Sequence, residues 1–209
     1  MTETVILRSS PHSEIARPLI DALIKDYDSR YGHVNQRPGS ARAEVERYPA
    51  QAFAPPFGDF LLLQRDGETV AGGAFMSHDN DVAEIKRVWT HPALRRQGLA
   101  RQVMIALEES AATLGYSRAY LTTGFLQPEA VSLYLSLGYR PLFDLEADPA
   151  LYRSLPFEKM IGRRAGEVSQ TPVAQPAASF DAATDRVNSI KAEQARKIEA
   201  RLALHQAAE

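Results

Sequence analysis

This 209-residue chain predicts an α+β fold: a mixed, mainly antiparallel sheet with helices on both faces and a helical extension at the C-terminus. Three observations carry that prediction. Asp66-Gly67 sits in a short link between the apolar runs 59–64 and 69–77, a strong hairpin signal. Between 82 and 123 a strand, a basic glycine turn, a helix and another strand follow one another; such a crossover makes its two strands parallel. Beyond Ile161 the composition shifts to Gly, Ala, Gln, Ser and Pro, and then to a long stretch without Gly or Pro.

The elements follow in order. Thr4 to Arg8 is a first strand. Ser13 to Tyr27 reads as a helix, with Ser13 as N-cap and Ile15, Leu19, Leu23 on an apolar stripe, although Pro18 falls inside its early part. The polar, aromatic segment 26–32 is expected to end it. A short helix is expected over Ala41 to Tyr48, and Gln51 to Gly58, with Pro55 and Pro56, is irregular. Asp59 to Gln64, Thr69 to Ser77 and Val82 to Thr90 form an antiparallel meander, in which Gly72-Gly73 marks a bulge or a close backbone approach. His91-Pro92 ends the fourth strand. Leu99, Val103, Ala106 and Leu107 then recur at helical spacing. Ser117 to Thr123 is the fifth strand, and Pro128 to Leu137 a helix with Pro in its first turn and Gly138 as its stop. Tyr139 to Leu145 and Leu155 to Ile161 are expected as the last two strands.

The expected organisation is a domain over 1–161, a linker over 162–180 and a helix over 181–209, the last either docked on its own domain, docked on a partner subunit, or frayed. The chain is 44% hydrophobic and 24% charged, ordinary for a globular protein. A net charge of -2 gives no general attraction to nucleic acid or an anionic membrane. There are no cysteines, which excludes disulfides, thiolate catalysis and Cys-ligated zinc. The five histidines are scattered without ligand spacing, so no metal is expected. With no signal-like start and no long apolar segment, a cytoplasmic location is the default expectation.

The turn Arg95-Arg96-Gln97-Gly98-Leu99-Ala100 is where chemistry is first expected. A helix that starts directly after a glycine turn presents unpaired N–H groups at its positive end, a natural anion site. Gly98 and Ala100 let a phosphate approach the backbone, and Arg95, Arg96 and Arg101 add positive charge. A plain surface turn explains the same residues equally well.

Arg95-x-x-Gly98-x-Ala100 resembles the R/Q-x-x-G-x-G/A pyrophosphate motif of the GNAT acetyltransferase superfamily. Downstream, 122–134 (TTGFLQPEAVSLY) followed by Leu137-Gly138-Tyr139 resembles that family's TG-x-x-Q-P-E-A-x-x-L-Y-x-x-x-G-Y block. Both motifs, in order and separated by a helix and a strand, make the resemblance specific. It covers roughly Thr4 to Ile161.

The resemblance implies acetyl-CoA as cosubstrate and no metal. It implies a fourth and fifth strand splayed apart, with the pantetheine arm pairing to backbone around Val88, Trp89 and Thr90 and the pyrophosphate on Arg95, Arg96, Gln97, Gly98, Leu99 and Ala100. Gln127 stands where the family often has an Asn that contacts the pantetheine arm. Tyr134 is expected to protonate the departing thiolate; a core aromatic is the alternative. Glu84, eleven positions before Arg95, is a candidate general base, or else a strand residue paired with Lys86 or Arg87. Tyr27, Tyr31, Phe53 and Phe57 are candidate walls of the acceptor pocket, or core aromatics at loop ends. Arg37, Arg42 and Arg47 either meet an acidic acceptor or face solvent. The expected function is acetyl transfer to the amine of a small molecule. Transfer to a protein lysine or N-terminus, and a non-catalytic acyl-CoA-binding regulatory module, are the alternatives. A homodimer is allowed by the resemblance.

Overall fold

A computed structural model describes residues 4–35 and 39–207. Seven strands form one sheet in the order β1-β2-β3-β4-β5-β7-β6. They are β1 (Thr4–Arg8), β2 (Asp59–Arg65), β3 (Glu68–Asp79), β4 (Val82–Thr90), β5 (Arg118–Gly124), β6 (Arg140–Pro141) and β7 (Ser154–Met160). The helices are α1 (Arg17–Asn35), α2 (Ser40–Val45), α3 (Leu99–Thr113), α4 (Pro128–Ser136) and α5 (Phe180–Gln206). Neighbouring strands run antiparallel except β4 and β5, which are parallel because α3 carries the chain from one to the other.

Side chains alternate across the sheet, and both faces are covered. Leu61, Leu63, Phe75, Ile85, Leu121 and Phe157 pack beneath α3 and α4, against Leu99, Val103, Met104, Leu107 and Tyr134. Phe60, Leu62, Ala74, Met76 and Trp89 face the other way, onto Leu19 and Leu23 of α1, Val45 of α2 and Ile198 of α5. Two covered faces explain why β2 and β3 read as continuous apolar runs. Gly72 and Gly73 sit between the layers. A Cβ on Gly72 would come within 2.7 Å of Leu19 Cδ1, and one on Gly73 within 2.9 Å of Leu107 Cδ1. The two glycines let a helix close onto each face.

Several expectations need correction. The first helix starts at Arg17, after a 3₁₀ turn over Glu14–Ala16, so Pro18 occupies its first turn, where no N–H is needed. It runs on to Asn35 rather than stopping at Tyr27. The sixth strand is only two residues long; the rest of 139–145 is irregular, with Leu142 still bonding to Pro156 O at 2.9 Å. Arg37 lies outside the described residues, as do Ala208 and Glu209.

The segment after β7 is irregular but held down. Glu158, 1% exposed, takes Arg118 and Arg140 as ion-pair partners and accepts a hydrogen bond from Thr171 Oγ1 at 2.8 Å. Ala174 N and Ala177 N bond to Leu142 O and Leu151 O. α5, capped by Ser179, then packs across the α1–α2 face. Gln194 Nε2 donates to Ser77 O, Arg201 to Ser77 Oγ, and Lys191 pairs with Glu44 of α2 at 2.8 Å. Its narrow apolar stripe is sufficient because polar contacts share the work.

Candidate active site

β4 and β5 pair only from Val82↔Arg118 to Ile85↔Leu121. Beyond that point they part. The reason is local: against β3, three positions of β4 (Lys86 to Trp89) span two of β3 (Gly72 to Ala74), and Arg87 takes φ 59°. One extra residue bends the strand and turns its edge away from β5. A cleft of about 700 Å³ opens there. Its walls are Ile85 to Thr90 on one side, Thr122 and Thr123 on the other, α1 through Leu23, Asp26, Tyr27 and Arg30, and α4 through Leu133 and Tyr134.

The basic turn forms one end of the same cleft. Arg95, Arg96, Gly98, Leu99, Ala100 and Arg101 all line it. Gly98 has φ 76° and precedes α3 with no side-chain cap, so the first-turn N–H groups of α3 remain available. Gln97 is not part of the lining. Its Oε1 accepts a hydrogen bond from Arg65 Nη1 at 3.0 Å.

Among the other predicted residues, Val88, Trp89, Thr90, Gln127, Tyr134 and Tyr27 line the cleft. Thr90 Oγ1 is buried without a partner among the described residues. Gln127 Oε1 is committed to Thr123 Oγ1 and Gly124 N, both at 3.0 Å, which fixes the turn into α4. Tyr134 is buried, and burial pushes its phenol up to about 12. Tyr27 is raised further, by burial first and by Glu44 and Tyr134 nearby.

Four more predicted residues stand elsewhere, the first being Phe53, a buried aromatic under the Arg87 guanidinium and outside the lining. Tyr31 leans on the β5–α4 turn: its hydroxyl accepts from Leu126 N at 3.3 Å, and a Cβ on Gly124 would collide with it. Phe57 packs edge-on against His205 of α5 at 5.1 Å. Neither lines the cleft. Glu84 is also absent from the lining. It is 5% exposed, with Lys86 Nζ at 2.7 Å and His78 Nδ1 at 3.2 Å. Burial raises its carboxyl, but the Lys86 ammonium and the His78 ring outweigh that and bring it to about 2.

Arg42 and Arg47 are answered within α2 and its end, by Glu46 at 2.7 Å and Glu44 at 2.6 Å. Sequence reasoning missed Lys86, Arg87 and Arg30 as cleft residues. Arg30 spans from α1 to Leu126 O (2.7 Å) and to Glu129 of α4, so it bolts two walls together. No sequence signal marks a cross-wall tie of this kind. For Arg87 the signal was indirect: the Gly72-Gly73 pair announced an irregularity but not its position on β4. Among the described residues no group of three or more His, Asp or Glu is arranged to hold a metal, and no helix is long and apolar enough to cross a membrane.

Known proteins resemble this chain in sequence and in fold. The chain is 31% identical over 129 residues to YjgM of Escherichia coli K12, an uncharacterized N-acetyltransferase, covering 58% of this chain and 75% of that one. It is 29% identical over 135 residues to the IAA acetyltransferase of Azospirillum brasilense, covering 62% and 85%. The PaiA N-acetyltransferase of Thermoplasma acidophilum, solved in complex with coenzyme A, superposes with a TM-score of 0.57 over 76% of this chain and 99% of that one, at 14% identity, a likeness of fold. The model of the acetyltransferase (GNAT) family matches residues 19–139, a span that contains the parted strands, the basic turn and Tyr134, and the chain belongs to that family.

Proposed function

We propose that this protein transfers the acetyl group of acetyl-CoA directly to the amine of a small molecule. The observation that carries the reading is the parting of β4 and β5 beside an uncapped, arginine-lined helix start. Parted strands leave backbone N–H and C=O groups unpaired along Lys86 to Thr90. The pantetheine arm of acetyl-CoA is a chain of amides and complements such an edge. The pyrophosphate then falls to the N–H groups of Leu99 and Ala100 and to Arg95 and Arg96. The coenzyme A held by the Thermoplasma neighbour supports the same cosubstrate here.

In the reaction the amine nitrogen attacks the thioester carbonyl carbon. Backbone N–H groups of β4 stabilise the oxyanion that forms. The C–S bond then breaks, and the thiolate takes the hydroxyl proton of Tyr134. Burial keeps that hydroxyl protonated across the neutral range. The nitrogen loses its proton to water, and Tyr134 recovers one from solvent.

Glu84 makes a poor proton acceptor for this step. At about 2 it is a weak base, and it is held by Lys86, which lines the cleft where Glu84 does not. We assign it to holding Lys86. The amine therefore enters neutral, and turnover rises with pH toward the acceptor's own pKa, roughly 10 for an alkyl amine.

The Arg30 tie joins α1 to the β5–α4 turn and to α4, and this narrowing of the walls is what we weigh toward a small acceptor over a polypeptide. The test is acetyl-CoA-dependent thiol release against amines, amino acids, polyamines and short peptides. The chain has no cysteine to contribute background. Release with a small amine is expected, and Tyr134→Phe should lower it at least tenfold while acetyl-CoA still binds. Release with peptides alone would replace the small-molecule acceptor. Undiminished release from Tyr134→Phe would remove that residue from its role.

A further inference from the structure

Arg87 is a cation without an anion. Its guanidinium sits on the α1–α2 side of the cleft, with Cζ 4.0 Å from the centroid of the Phe53 ring. Nη2 donates to Val45 O. Nη1 is buried and has no acceptor among the described residues. No carboxylate among them stands within ion-pair distance of Arg87, whereas the arginines around it are answered: Arg30 by Asp26 and Glu129, Arg42 by Glu46, Arg47 by Glu44. Lys86, its neighbour in the chain, belongs to Glu84.

Leaving a buried guanidinium nitrogen without an acceptor is costly. The cost is incurred at a residue in the left-handed region, φ 59°, on the bulge that opens the cleft. Backbone strain of this kind persists where the surroundings impose it, and such places cluster at ligand sites. The surroundings here do impose it: Phe53 supports one face of the fork and Val45 O holds one arm, so the guanidinium is oriented before anything binds. Burial also lowers its pKa to about 10, although Tyr27, Glu46, Tyr48 and Glu44 nearby act to raise it.

We infer that Arg87 receives a carboxylate carried by the acceptor, so that the acceptors of this enzyme are amino acids or other amines bearing a carboxylate group. The inference rests on the acetyl-transfer reading and narrows it. A guanidinium held on one side, lining the cleft and unanswered on Nη1, matches a carboxylate oxygen in charge. A carboxylate bound there would bring its own molecule to the α1–α2 wall, across the cleft from the phosphate turn, so donor and acceptor would occupy opposite ends of one cavity. An amine without a carboxylate would leave Nη1 unanswered and bind less well.

The test compares matched pairs. Thiol release from acetyl-CoA is measured with a panel of amino acids and ω-amino acids, each beside its own carboxamide, which keeps the amine and size but removes the charge. In the wild type kcat/KM should favour the carboxylate member by at least thirtyfold for the accepted compounds. In Arg87→Met that ratio should collapse to within threefold, through a rise in acceptor KM, while the KM for acetyl-CoA stays within twofold. Arg87→Lys, which keeps charge but loses the fork, should fall between. A melting curve on each variant separates loss of recognition from loss of fold; if Arg87→Met does not fold, the wild-type ratio and Arg87→Lys still decide. Equal rates for acid and amide in the wild type, or a ratio unchanged in the variants, overturn the inference and leave acetyl transfer standing. No release with any member of any pair, although acetyl-CoA binds, overturns acetyl transfer to small amines and the inference with it.

Discussion

The two ends of the cleft are built by different means. The proposed donor end is made of short stretches contiguous in the chain: the turn 95–100 running into α3, and the turn 124–127 running into α4. The proposed acceptor end is assembled from far apart. Tyr27 comes from α1, Val45 from α2, Arg87 from the bulge of β4, and the whole wall leans on α5, about a hundred residues later. A donor common to a family can be met by local motifs, because its phosphates need only N–H groups, a glycine and nearby arginines. An acceptor is met by shape and by single charges, and these come from tertiary packing.

The sharpest way to separate the two ends is at Gly98. Its φ of 76° suits glycine, and a Cβ there would meet nothing within 4 Å. In Gly98→Asp a carboxylate would stand where the pyrophosphate is proposed to lie. It would also answer the free N–H groups of the first turn of α3, a contact worth about 1 kcal/mol at a helix start, which offsets a left-handed cost of about 1–2 kcal/mol. Acetyl-CoA affinity should fall at least a hundredfold by calorimetry while the melting temperature moves by only a few degrees. A variant that binds acetyl-CoA normally would show that the turn is not the phosphate site.

This contrast also explains what the sequence made legible. The meander, the crossover and the glycine turn depend on residues close in the chain, and periodicity with turn chemistry is enough to find them. The length of α1 was missed because 26–32 is largely polar, even where it lines the cleft. Tyr27 faces the cleft, Tyr31 the β5–α4 turn, and Asp26 and Arg30 pair with each other, all within continuous helix. The sixth strand was over-read because Phe143 and Leu142 are buried without being in a ladder. Phe57 carried plausible chemistry but meets His205 of the distant α5, whereas Glu84 takes the alternative the sequence offered, pairing with Lys86, with His78 of the adjoining strand beside it.

Glu84 offers the next largest effect, on stability rather than binding. Glu84→Gln leaves Lys86 beside a neutral amide, and breaking a mostly buried pair costs about 3 kcal/mol. The native carboxyl lies at about 2, below the roughly 4.3 of an unfolded glutamate. Its stabilisation is therefore complete above the unfolded value and is lost as pH falls from about 4.3 toward 2. Denaturant midpoints measured across that window should decline steeply in the wild type and less steeply in the variant. The rise of kcat/KM toward alkaline pH should keep its shape in Glu84→Gln. A flattened rise would return Glu84 to the role of proton acceptor.

The smallest expected effect probes whether α5 belongs to the acceptor end at all. Lys191 meets Glu44 on the surface of α2, and the next residue, Val45, gives its carbonyl to Arg87. The pair is about one-third exposed on each side, so it contributes no more than about 1 kcal/mol. In Lys191→Glu two carboxylates would oppose each other and push α2 away from α5. Arg47, still 2.6 Å from Glu44, would absorb part of that. The carbonyl of Val45 would then hold Arg87 less firmly, and acceptor KM should rise about three- to fivefold with acetyl-CoA KM unchanged. An equal rise for both substrates would mean that α5 supports the sheet as a whole. A rise for the acceptor alone would mean that the last thirty residues, outside both sequence motifs and outside the family match at 19–139, set the geometry of the end that chooses the substrate.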